Sequence, residues 1–422
     1  MVLFNSPSWL KERQTRAQEK FLGAGLPTRR DESWRYTSLQ EYSKIQFAAR
    51  STVSEPSALA SNASAFRDGA DYVLAFRNGQ FISADSRTSQ SDEVYVLPLS
   101  KVLMSSGAIN ERLRTVLERE PNVNLKAIGW QNSANFQEGA FIFIRAESKA
   151  PIKILIQNDY EGESGEDSAT SVYPRSIFLF GARTQAEILE IHSLKGDSSL
   201  QANSACDYVL EAGAVVKGAQ FVEGGESRFF FNDTNVTLEK DSDLQFAQIT
   251  KGGQIVRHEG VFQLLEPGAC LRWLGLALGS GRSHIDTSTY VLHQKGQTRS
   301  EQLMKTVGFD SSRAVFSGRL LIEKDAQKAN ARQHCHNLLA SDEAEADARP
   351  QLEVRADDVK AAHGATTGQM REEELFYLQS RGLTKMEASV LLSHAYQNDV
   401  IGRLESEFLR RAAAHFCWGA TQ

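Results

Sequence analysis

The chain has 422 residues, 24% of them charged, with a formal net charge of −6 and a pI near 5.9. That balance argues against a general nucleic-acid or anionic-membrane binder, which would carry a basic face, and no stretch approaches the roughly 20 apolar residues that span a bilayer. The 4 cysteines (Cys206, Cys270, Cys335 and Cys417) are scattered without CxxC spacing, which favours a reducing compartment and a cytoplasmic protein of two or three structural units.

Residues 1–30 are charged and helical in pattern, without a signal-peptide core. Residues 7–22 read as an amphipathic helix with Trp9, Leu10, Ala17 and Phe21 near one face. Gly25-Leu26-Pro27-Thr28 ends it, and a charged, aromatic stretch without catalytic pattern follows over residues 31–37. Asn78-Gly79 suits a type I′ hairpin turn, and residues 103–120 contain a helical segment. Strands are expected at residues 141–144, 152–156 and 177–180, with a loop over residues 161–168.

From residue 210 to residue 358 a short phrase recurs: an aliphatic residue followed three places later by Gly or Asp. It starts at Leu210, Leu238, Leu265, Leu292 (with its Gly one place late), Ile322 and Val354, intervals of 28, 27, 27, 30 and 32 by subtraction. Periods of this size mean stacked units that cannot bury an apolar face alone. Gly and Asp suit tight corners, and the alternation in Asp243-Leu244-Gln245-Phe246 and Cys270-Leu271-Arg272-Trp273 is that of half-buried strands. The reading is a parallel β-helix, one coil per repeat; hairpin turns recurring by chance in a large β-domain are the alternative.

β-character persists to about His363 and then gives way to helix. Thr366 or Thr367 is placed as the cap of a first tail helix, Thr384 and Glu387 form a capping box for a second, and a third spans residues 401–416. The chain thus divides into a mixed helical region (1–135), a β-helix core (136–365) and a helical tail (366–422). Open strand edges at the ends of such a core need covering.

Catalytic signatures are absent from the sequence: no GxxxxGK[ST], GxSxG or HExxH occurs. Gly279-Ser280-Gly281 reads as a coil turn. In His334-Cys335-His336 a strand puts both histidines on one face and the thiol on the other, so surface histidines flanking a buried thiol compete with a two-histidine metal site. Cys417 reads as an incidental thiol, and Glu211, Glu239, Glu266 and Glu323 as a solvated ladder beside the corners. His363 lies among small residues that leave its imidazole accessible, and imidazole is a good ligand for iron. The residues alone favour a boundary histidine without a role.

At Asn337-Leu338-Leu339, Pro350-Gln351-Leu352-Glu353, Asp357-Asp358-Val359-Lys360 and His363-Gly364-Ala365-Thr366 the chain resembles the SufB/SufD family of iron–sulfur cluster assembly proteins. The likeness extends through Leu375-Phe376-Tyr377-Leu378 and Arg381-Gly382, and residues 25–37 look like the opening segment of SufD. Gly364 after the histidine points to the SufD branch, since SufB relatives usually carry Glu there.

The resemblance implies a right-handed parallel β-helix with helical flanks. It implies a non-catalytic cytoplasmic scaffold working with SufB and the ABC ATPase SufC, which hydrolyses the ATP. It also implies a transient iron–sulfur cluster shared with SufB, with His363 as ligand at the SufB–SufD interface. SufC would dock at Leu375, Phe376, Tyr377, Leu378, Arg381 and Gly382. Family members often carry Cys two places before this histidine; Ala361 stands there, which excludes a thiolate ligand from that position, and Cys335 is a weak substitute. A homodimer, a purely structural partner and a β-helix enzyme acting on polysaccharide or acyl groups are the competing readings.

Overall fold

The computed structural model describes residues 7–49, 64–120, 123–145, 147, 150–162, 169–196 and 198–419. From Ala140 to Gln369 the chain winds into a parallel β-solenoid of about seven turns, with helices at both ends. Each full coil places one strand in each of two facing sheets. In sheet 1 the last strands are Ile255–Leu264, His284–His293, Arg313–Ile322 and Glu345–Val354. In sheet 2 they are Cys270–Gly279, Arg299–Gly308, Asn330–Leu339 and Lys360–Gln369.

The drift of the repeat comes from the corners. From Leu200 onward each strand has 10 or 11 residues, while the corner before a sheet 2 strand varies, from 239–242 through 265–269 and 294–298 to the longest, 323–329, and back to 355–359. The fourth residue of the phrase takes the left-handed conformation at Gly213 (φ 70°), Asp241 (φ 55°) and Gly268 (φ 80°). In the longer corners Gln297 and Lys328 take that role instead of Gly296 and Asp325. Gly296 is still required, because a Cβ there would lie 2.5 Å from the Gln327 carbonyl oxygen.

Alternate residues of both sheets point inward. Phe178 and Tyr208 stack at 4.2 Å, and Phe246, Trp273 and Phe316 continue the apolar filling along the axis. Full burial of each such side chain is worth about 1.5–3 kcal/mol. The interior also holds polar groups that the sequence reading did not identify. Glu190 accepts from Ser176 Oγ (2.9 Å), Gln220 Nε2 (3.0 Å) and Cys206 Sγ (3.3 Å) and faces His192 at 3.5 Å. Burial alone would push its carboxyl up; His192 and these donors outweigh that and hold it below the usual range.

Flanking segments cover the outer faces. Trp34 is fully buried, with the Arg257 guanidinium 4.0 Å from its ring, and Arg257 pairs with Glu259 and Asp286 on the outside of sheet 1. On sheet 2, Val400, Ile401, Leu404, Phe408, Leu409 and Phe416 of the tail pack against Phe221, Ile249, Leu274 and Leu276. The first helix, Ser8–Ala24, joins Leu99–Leu103 and Ala108–Leu117 over the beginning of the solenoid. There Tyr72–Arg77 turns through Asn78 (φ 50°) and Gly79 (φ 73°) into an antiparallel hairpin, as expected.

Two expectations change. Thr366 and Thr367 cap no helix; they lie in the Lys360–Gln369 strand, paired with His336 and Asn337, and the helix begins at Glu372 after Arg371. The ladder of the preceding coil claims these β-branched residues before a helix can start. The last helix is Glu407–Trp418, because Ile401 still belongs to Lys385–Ile401, the helix opened by the Thr384–Glu387 capping box. Of the expected loop, residues 163–168 lie outside the described residues.

His258 and His293 sit neutral in the interior, each ring bonded at both nitrogens: to Gln248 and Thr250 at 2.8 Å, and to Thr298 and Ser300 at 2.8 Å. Burial pushes them down to about 3 and about 4. Below the unfolded histidine value near 6.5 the unfolded chain binds the extra protons. The stability these rings contribute is therefore complete above that value and declines as pH falls toward the folded ones. Each is expected to cost about 2 kcal/mol at pH 5. Urea unfolding should show a midpoint that falls between pH 7 and pH 5, and falls less in His258→Gln.

Candidate functional site at the open end of the solenoid

The two ends of the solenoid differ. At its beginning both sheets run into antiparallel strands under helices. At its end Glu345–Val354 and Lys360–Gln369 are the last strands of their sheets, each hydrogen-bonded on one side only. A row of unpaired backbone donors and acceptors is thereby presented twice at one end.

His363 lies on the second of these edges and is exposed. Its register partner one coil below is Gln333; Ala365 lies over Cys335 and Thr367 over Asn337. Gln333, Cys335 and Asn337 are all buried. Since parallel partners point the same way, His363, Ala365 and Thr367 face the solenoid axis. They form the rim of its mouth, with the Gln333–Cys335–Asn337 row as a floor. Across the mouth the register brings Ala348, Pro350 and Leu352 over Phe316, Gly318 and Leu320.

The outer side of these strands carries the other two histidines. His334 and His336 stack at 6.1 Å, and His336 Nδ1 bonds Thr366 Oγ1 at 2.7 Å. Cys335 points away from them into the core, and burial pushes its thiol up to about 12. This is the arrangement of surface histidines around a buried thiol. Among the described residues, no group of three or more His, Cys, Asp or Glu side chains is placed to hold a metal ion. His363 offers a single ligand, so a coordination sphere built on it takes its other members from outside this chain.

Beyond the last strand the chain leaves the solenoid as Glu372–Ser380, a helix with no buried residue, and turns back through Gly382 (φ 97°) into Lys385–Ile401. Phe376 is 73% and Met386 71% exposed, and Tyr377, Val390 and Leu391 are exposed beside them. Leu375 and Leu378 are half-buried, while Arg381 stands over the Tyr377 ring at 5.3 Å. Among the residues expected to dock a partner, the two aromatic ones thus present free apolar surface. Cys417, by contrast, lies on the last helix, partly buried against the sheet 2 cluster, its thiol pushed up to about 12 by burial.

The family model of the SUF system FeS cluster assembly SufBD core domain matches residues 162–396. The chain belongs to the SufBD family. It is 27% identical to the iron–sulfur cluster assembly protein SufD of Escherichia coli over 396 residues, covering 93% of this chain and 89% of that one. A SufBD family protein of Synechocystis is 27% identical over 418 residues, 96% of this chain and 89% of its own. The SufD of Bacillus subtilis is 33% identical over 136 residues, covering 32% and 31%. These likenesses place the chain on the SufD branch. The matched core takes in the open end, His363 and the exposed helix pair.

Chemical modification separates the rim from the floor. His363 should react with diethyl pyrocarbonate in the intact chain while buried His192, His258 and His293 do not. Cys335, buried and with its thiol pushed up by desolvation, should resist iodoacetamide until the chain unfolds. Peptide mapping reads both, and a protected His363 or a rapidly alkylated Cys335 would contradict the geometry.

Proposed function

We propose that this chain is a non-catalytic scaffold subunit of a SufB–SufC–SufD complex, and that a nascent iron–sulfur cluster, as cargo, is built where its open end meets SufB. The observation that carries the reading is the coincidence of His363 with two unpaired strand edges. A sister solenoid pairing with those edges would close the mouth and bring its own side chains to the imidazole. An interface with a single histidine on this side suits a shared cluster, because thiolate and sulfide from the other side can complete the sphere.

The helix pair is the proposed seat of the SufC ATPase. Its free end carries Phe376, Tyr377, Met386, Val390 and Leu391, an apolar cluster of the kind that fills a partner's groove. The other end of Lys385–Ile401 is tied to the solenoid: Lys305 Nζ pairs with Asp399 at 2.9 Å, and Val400 and Ile401 are buried on sheet 2. One continuous helix therefore runs from the docking surface to the coils that end in His363. Nucleotide-driven closure of two ATPase subunits would pull on that helix and open or tighten the seam, a rigid-body switch at an interface.

In the purified complex, His363→Ala should leave subunit stoichiometry intact and cut iron and acid-labile sulfide to about a tenth or less. Unchanged cluster content would end the ligand reading. Phe376→Asp should weaken capture of the ATPase by at least about tenfold while the pairing with the sister scaffold persists. Should the isolated chain instead form a homodimer through its strand edges, analytical ultracentrifugation against added SufB would show which pairing prevails.

A further inference from the structure

Directly beneath His363 lies an anomaly. Gln333 is fully buried, and neither its Oε1 nor its Nε2 has a hydrogen-bond partner. Among the described residues it is the only amide side chain orphaned at both atoms. Buried polar groups go unpaired rarely, and each case needs a reason. The facing sheet leaves the carboxamide its space: a Cβ on Gly318 would lie 2.1 Å from Gln333 Nε2. One coil further in, Gln302 occupies the same column and does have a partner, its Oε1 accepting from Thr289 at 2.6 Å.

The chemistry of His363 supplies the missing partner. A neutral imidazole carries one N–H and one lone pair. To offer the lone pair outward to a metal it must place the N–H elsewhere, and metal-bound histidines nearly always give it to a fixed acceptor that sets tautomer and ring orientation. At its own level His363 has no such acceptor among neighbouring inward side chains: Ala361 and Ala365 flank it, and Ala348, Pro350 and Leu352 hold inward positions on the last strand of the facing sheet. The level below offers Gln333. In-register parallel neighbours point the same way about 4.8 Å apart, so rotation of the amide and the ring joins them without moving either strand.

We propose that Gln333 is a positioning residue for His363: its Oε1 accepts the inward-facing imidazole N–H, holding the other nitrogen outward, deprotonated, for iron. The inference rests on the reading of His363 as a cluster ligand. In the uncapped chain the rim is exposed and the bond is unmade; covering the mouth excludes water and leaves Gln333 as the acceptor at hand.

The test compares Gln333→Leu, Gln333→Glu and His363→Ala in the full chain, co-produced with its partner subunits and supplied with Fe²⁺ and sulfide. Gln333→Leu should lower retained iron about tenfold and leave the melting temperature of the chain unchanged or raised, because an apolar side chain replaces an unpaired amide. Gln333→Glu keeps an acceptor and should retain most of the iron. Wild-type iron in Gln333→Leu, with loss in His363→Ala, overturns the positioning role and spares the ligand reading. Retention in His363→Ala overturns both. A lowered melting temperature in Gln333→Leu makes the side chain structural and overturns the proposal, as does iron loss in Gln333→Glu equal to that in Gln333→Leu.

Discussion

The constraint on which this molecule depends is parallel, in-register stacking. Once the ladder of sheet 2 is set, each inward position must lie on the same position of the coil before it. That is why Gln302, Gln333 and His363 form a column, and why Met304, Cys335 and Ala365 form the next. Length variation is absorbed in the corners, which vary from 239–242 to 323–329 while strands stay near one length. A slip of one residue would exchange the inward and outward sets along the whole strand. It would put His334 and His336 inside and turn His363 out of the mouth.

The same stacking explains how a narrow solenoid carries polar groups through its interior. Glu190, Gln220 and Gln248 are successive register partners, and each finds bonds within the column or across it, Gln248 donating to Gln220 at 3.1 Å. Buried networks of this sort are costly when incomplete and specify one packing when complete. Satisfaction is uneven along the axis, and Asn158 Nδ2, His192 Nε2 and Ser204 Oγ near its beginning also lack hydrogen-bond partners. Glu190 has several donors, Gln302 has one free nitrogen, and Gln333 has nothing. Among the described residues, the buried amide unpaired at both atoms lies at the level next to the exposed rim.

Much of this architecture was legible because repeats print their geometry into sequence. The phrase at Leu210, Leu238 and Leu265 marks corners that the chain turns as expected, and strand alternation alone sets Cys335 opposite its flanking histidines. What escaped was information that only stacking creates. Gln333 has no local signature; aligning the coils one under another would have set it below His363. Trp34 and Arg257 are far apart in sequence and meet only because the opening segment folds over sheet 1. The cap of the first tail helix differs from its sequence expectation for a related reason. Thr366 and Thr367 look like caps locally, but the unpaired edge of Asn330–Leu339 offers them a full ladder.

On the proposed function, an open end and an incomplete ligand set are two problems that occupy the same place in this chain. Unpaired edges invite association, and a lone imidazole binds iron weakly until further ligands arrive. A partner that paired with Lys360–Gln369 would run beside His363, so on that reading the contact that satisfies the backbone would also deliver ligands to the ring. Association and cluster formation then share one free energy: whatever strains the seam weakens the site, and a bound cluster holds the seam shut. The helix Lys385–Ile401, exposed at one end and buried on the solenoid at the other, is placed to apply such strain without touching iron. On the proposed function, such a scaffold would need no catalytic group of its own; it would need an edge, a histidine and a lever in fixed register.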